Sequence, residues 1–127
     1  MTRFLLPPAL ALAALVPPTL VSTAQAQQPA APELTIQQKT ALRCSVAFAL
    51  VAEGQARGDP AVADYPPLGE RGREFFVRSS AQIMDETGMS REAVAGLLAA
   101  EVAGLQEPET LASVMPPCLL LLDASGL

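Results

Sequence analysis

Two cysteines, Cys44 and Cys118, sit far apart in the chain and constrain its fold more than any other feature. With no third thiol to compete, an oxidising compartment joins them as one bridge. In the chain-entropy account, closing a loop of about 75 residues stabilises a fold by roughly 4 kcal/mol, comparable to much of a small domain's net stability. Two buried free thiols are the alternative. The absence of a Cys-x-x-Cys spacing argues against a redox-active pair.

The N-terminal residues support such a compartment. Arg3 precedes an apolar run over residues 4–21, and Ala24-Gln25-Ala26 supplies a small-x-small cleavage triplet. This is the layout of a signal peptide spanning residues 1–26, and it places the mature chain in the periplasm or outside the cell. An uncleaved anchor is the competing reading. However, Pro7, Pro8, Pro17 and Pro18 interrupt a run barely long enough for about 30 Å of hydrocarbon. No cysteine lies at the cleavage site to carry a lipid.

Cleavage would leave 101 residues with seven basic and thirteen acidic side chains, a net −6. Nucleic acids and anionic lipid surfaces require a positive footprint, so neither is expected as a partner.

Residues 27–33 are polar and proline-bearing and read as a flexible leader to a single helical domain over 34–127. Thr35 with Gln38 forms a capping box that opens a first helix, which Gly58 ends. At 100° per residue, Ala41, Cys44, Ser45, Phe48, Ala49, Val51, Ala52 and Ala56 fall on one side. Val46 and Leu50 fall on the other, which implies wider cover than a surface helix receives. Residues 58–69 hold several helix breakers and read as a loop with one turn in it.

A second helix over 70–87 carries the stripe Phe76, Ser79, Ser80, Ile83, Met84 and Thr87, ended by a left-handed Gly88 with a Schellman contact from Met89 to Met84. Ser90 caps a third helix over 91–106, with Val94, Leu97, Leu98, Val102 and Leu105 inward. Residues 107–117 allow a turn or two before Pro116-Pro117 redirect the chain into a short last helix over 118–124. The expected fold is therefore all-α, a small bundle of about four helices with the disulfide linking first and last.

The chain has no histidine and no tryptophan. Triad chemistry built on histidine, haem attachment and the commonest metal ligand are therefore missing, and neither a cofactor nor a metal is expected. Two-carboxylate hydrolysis needs a cleft that a domain of this size has little room for, so the chain reads as a non-enzyme.

Glu101 projects from the middle of the apolar arc of the third helix, and a carboxylate aimed at a core needs a partner. Arg73 at the matching level of the second helix is the expected one; the alternative is a Glu101 that snorkels to the edge. Arg71, Arg73 and Arg78 read either as an anion-docking patch or as a solvated helix start with a Glu74–Arg78 pair. Tyr65 before Pro66-Pro67 reads either as a recognition segment or as a ring packed over the core edge. Phe75 lies beside the main stripe, so it and Phe76 cannot both point inward, and one of them is free to line an interface. The candidate interaction surface is thus Tyr65, Phe75, Arg71 and Arg78.

An export signal, about 100 mature residues, an all-helical pattern, one disulfide and many carboxylates make the chain similar in general plan to the small periplasmic acid-stress chaperones. The resemblance covers architecture and carries no functional positions across. The leading expectation is a non-enzymatic accessory or protein-binding protein with an unknown protein partner in the cell envelope. A chaperone that opens in acid is the first alternative, and a carrier of a small apolar ligand is the second.

Overall fold

The computed structural model describes residues 32–127. The signal segment 1–26 and most of the 27–33 leader lie outside the described residues. Four helices follow in order: α1 (Ile36–Ala56), α2 (Arg71–Thr87), α3 (Arg91–Leu105) and α4 (Pro108–Ala124), with a 3-10 turn (Pro60–Val62) between α1 and α2. A disulfide joins Cys44 of α1 to Cys118 of α4, with 5.2 Å between the two Cα atoms.

α1 is the axis of the fold, in contact with each of the other helices and with the 3-10 turn. It begins on the capping box: Gln38 N–H donates to the Thr35 hydroxyl, and Thr35 N–H donates to Gln38 Oε1. The five residues from Cys44 to Phe48 are all buried, so no single face of this helix is the inner one. That corrects the one-sided assignment: Val46 and Ala47 are in the core, whereas Ala49 and Ala56 are exposed. A helix covered on several sides has no amphipathic period to read.

α1 ends on Gly58 at φ 72, with Asp59 N–H bonded to the Gly54 carbonyl at 2.9 Å and Gly58 N–H to that of Gln55 at 3.1 Å. This is a Schellman arrangement.

In α2 the inward register differs from the stripe expected. Gly72, Phe75, Ser79 and Ile83 are buried, and Phe75 packs edge-on against Phe48 with ring centroids 5.3 Å apart. Phe76, expected inside, is 36 % exposed. Both phenylalanines satisfy an i+3/i+4 pattern with their neighbours. The close approach of α1 at Gly72 decides between them. A Cβ on Gly72 would lie 2.9 Å from the Cβ of Phe48, so the missing side chain is what lets the two helices meet there.

Gly72→Ala should accordingly destabilise the protein. Helix propensity favours alanine by about 1 kcal/mol, but overpacking against a Cβ that cannot swing away costs about 1–3 kcal/mol. A urea melt that shows a gain in stability would overturn this account of the α1–α2 contact.

The corner between α2 and α3 is close to expectation. Gly88 is left-handed at φ 70, and the Ser90 hydroxyl accepts from Ala93 N–H at 3.1 Å. Met84 and Met89 pack on a small cluster of Leu42, Ile83 and Val94. The cap differs in detail. Gly88 N–H reaches the Met84 carbonyl at 2.9 Å, while Met89 N–H turns to the Thr87 hydroxyl at 3.2 Å. It is therefore a single-bond left-handed cap instead of a Schellman pair.

The larger correction concerns α4, which runs unbroken through Pro116 and Pro117. Interior prolines remove two backbone donors and crowd the carbonyls four residues back, at a cost of about 3 kcal/mol or more. The carbonyls left over belong to Ala112 and Ser113, and both residues are exposed, so water can satisfy them. In return, one continuous helix puts Met115, Cys118 and Leu122 on a single buried face, with Cys118 in register for its bond to Cys44.

Candidate functional site

A groove of about 440 Å³ runs between the first turns of α1, the outer half of α2 and the end of the chain. Its floor is apolar, made by Ala41, Phe75, Ile83, Leu121 and Leu127. Its rim is polar, with Gln37, Gln38, Arg78, Gln82 and Glu86. Phe75 was expected on an exposed interaction surface. It is instead a core residue, 5 % exposed, that lines this groove while packing edge-on against Phe48.

Glu86 organises one wall. It accepts from Gln82 Nε2 at 2.7 Å, one turn back on α2, and from Gln38 Nε2 at 2.8 Å, across on α1. These two amide donors, Gln82 first and Gln38 second, hold the Glu86 carboxyl below its ordinary range. The same Gln38 that caps α1 thus also ties α1 to the last turn of α2. The capping pattern made Gln38 legible in the sequence, whereas its second role required the tertiary approach of α2.

The three arginines are all committed within the chain. Arg78 Nε donates to Glu74 at 3.0 Å, the i, i+4 pair expected of a solvated helix start. Arg73 reaches the Gly69 carbonyl at 3.4 Å and does not meet Glu101. The partner of Glu101 is Arg43 on α1, at 3.6 Å. The expected Arg73–Glu101 pair assumed that α2 and α3 pack as a full antiparallel hairpin. α3 instead packs mainly along α1, which places an α1 side chain opposite Glu101. With both side chains partly solvated, the Arg43–Glu101 pair contributes at most about 1 kcal/mol.

Arg71 does more than its neighbours. Its Nε donates to the main-chain oxygen of Leu127 at 2.9 Å, and its Nη2 to the Asp123 carboxylate at 2.9 Å. One side chain at the start of α2 therefore holds the end of α4 and the residues after it. No spacing rule in the sequence pairs positions 71 and 127.

Tyr65 is half-buried and packs against the main core. The loop that carries it is stitched to α1 by Gln55, whose Nε2 donates to the carbonyls of Tyr65 and Pro66 at 3.1 and 3.0 Å. The Gln55 Oε1 accepts from Leu68 N–H at 3.1 Å. Pro66 and Pro67 lack N–H groups of their own, so one amide supplies the order that backbone bonding cannot.

Among the described residues, no group of three or more histidine, cysteine, aspartate or glutamate side chains is placed to hold a metal ion. No described helix is long and apolar enough to cross a membrane. No protein-family model matches the chain, nor does any curated protein or solved structure.

Proposed function

We propose that this is a non-enzymatic, protein-binding accessory protein of an oxidising extracytoplasmic compartment, and that it engages its partner through the groove between α1 and α2. The supporting observation is the composition of that groove. An apolar floor of aliphatic and aromatic carbon is edged by glutamine amides and by charges of both signs. Such a surface complements a polypeptide, which presents apolar side chains and backbone hydrogen-bonding groups together. The Cys44–Cys118 bond supports the compartment, since disulfides persist where thiols are not kept reduced.

Photo-crosslinking from a reactive residue installed at Gln82, on the groove rim, tests the reading in the producing cell. A discrete adduct from position 82 that is not formed from Glu109, at the start of α4, is the expected result. Equal labelling from both positions, or none from position 82, sinks it.

A second reading, a chaperone that opens in acid, is favoured by a different observation. Three side-chain hydrogen bonds and ion pairs between helices end on a carboxylate: Gln38 to Glu86, Arg43 to Glu101, and Arg71 to Asp123. For Glu86 the sign is clear. Its folded-state affinity for protons is lowered, so its contribution is fully present above the ordinary carboxylate range and is lost as pH falls through the depressed folded-state value. Acid would therefore weaken the Gln38–Glu86 tie while the disulfide holds α1 to α4, and the net positive charge left on the chain would push the helices apart.

A dye titration from pH 7 to pH 2 should show apolar surface appearing only at and below the carboxylate range, together with suppression of client aggregation. A flat titration removes this reading. The groove between α1 and α2 is open to solvent, whereas a small-ligand carrier would need an enclosed apolar chamber.

A further inference from the structure

The groove between α1 and α2 is bordered by two charged side chains, Arg78 and Glu86. Arg78 is neutralised within its own helix by Glu74. Glu86 is not: none of the ion pairs among the described residues includes it. Its partners are two neutral amides, placed one to each oxygen, with Gln82 Nε2 on Oε1 at 2.7 Å and Gln38 Nε2 on Oε2 at 2.8 Å.

Each carboxylate oxygen has two lone pairs, so one acceptor direction stays open on each. Two free acceptors on one carboxylate are what a guanidinium fork fills with parallel bonds, whereas an ammonium meets them only as a point charge. The amides also come from two different helices, so the carboxylate is oriented before a partner arrives and has little rotamer freedom left to lose. Beside it lies carbon: Ile83, one turn back on α2, and Leu121 of α4 both belong to the floor. The net charge of −5 on the chain adds a long-range attraction for a cationic partner.

We propose that the groove selects a partner segment in which an arginine stands close to an aliphatic residue, with the guanidinium on Glu86 and the aliphatic side chain on Ile83 and Leu121. The proposal rests on the protein-binding reading above and names the chemistry of the partner. Gln38 and Gln82 act as positioning residues, since they hold the carboxylate that the arginine meets.

The probe is a fluorescein-labelled peptide blocked at both ends, Gly-Ser-Leu-Leu-Arg-Ser-Gly, beside two counterparts in which citrulline replaces the arginine or serine replaces both leucines. Anisotropy with the wild-type protein should show the arginine peptide binding about fivefold more tightly than the citrulline peptide, as a well-aligned ion pair in contact with water allows. The serine peptide should bind about tenfold more weakly than the arginine peptide, since it has no carbon to bury. Glu86→Gln should bind the arginine and citrulline peptides equally. Glu109→Gln, which removes the same charge at the start of α4, should keep the preference.

Glu86 is exposed on the last turn of α2, so its substitution leaves the core intact. Equal affinity of the wild type for the arginine and citrulline peptides, or no saturable binding of either, overturns the proposal. A preference that Glu86→Gln and Glu109→Gln reduce alike also overturns it, since net charge and not the groove would then be the cause. The wider reading is separable. If the crosslink from position 82 forms while the wild type shows no preference for arginine over citrulline, the groove takes protein but does not select arginine.

Discussion

Refolded under reductant, the protein should lose about 4 kcal/mol of stability and melt roughly 15–30 °C lower than its oxidised form, as expected for a domain of this size. The loop closed by Cys44 and Cys118 spans 74 positions and includes α2, α3 and most of α4, so its removal from the unfolded ensemble is a large entropic effect. The same bond is hard to reach in the native state, since the two cysteines are 1 % and 2 % exposed. Mild reductant added to the folded oxidised protein should therefore act only after the bundle opens, at a rate that tracks unfolding. Calorimetry with and without reductant is the measurement. A shift of only a few degrees would show that α4 is held by packing alone, and would leave its two interior prolines without the compensation assigned to them.

Phe48→Ala should be the most damaging single truncation of the core, at about 3–5 kcal/mol. Phe48 is 0 % exposed, and it meets both the bare backbone of Gly72 and the ring of Phe75. Phe75→Ala should approach the same cost. The double variant should recover about 0.5–1.5 kcal/mol of the sum, as an edge-on aromatic pair predicts. Phe76→Ala is the control, and it should cost clearly less, because 36 % of that residue is already in water. Urea denaturation of the four variants beside the wild type measures all of these quantities. A cost for Phe76→Ala equal to that for Phe75→Ala would reverse the register of α2 and with it the shape of the groove, whose floor includes Phe75 and not Phe76.

The interplay of Phe48, Gly72 and Phe75 also shows where reading the sequence stops. A stripe through Phe76 is as regular as one through Phe75. Periodicity ranks faces of a helix but cannot see a neighbour that approaches closely enough to exclude a methyl group. The same limit explains α4. Two consecutive prolines argue locally for a break, and only burial of Met115, Cys118 and Leu122 on one continuous face outweighs that argument. Glu101 needed a partner by its position on α3, and one exists. The identity of that partner depended on which helix lies alongside α3, and that helix is α1.

What the amino-acid order determined unaided was local or arithmetical. The capping box of Thr35 and Gln38, the left-handed Gly88, the Ser90 cap, the Glu74–Arg78 pair and the pairing of the only two cysteines all follow from groups a few residues apart or from a count with one solution. What only the tertiary structure decided was which surfaces meet: the axial position of α1, the hold of Arg71 on Asp123 and Leu127, the glutamine wall around Glu86 and the depth of Phe75. The physical reason is that capping energies are set within one helical turn. Contacts between helices depend instead on the volume and position of side chains brought together from distant parts of the chain.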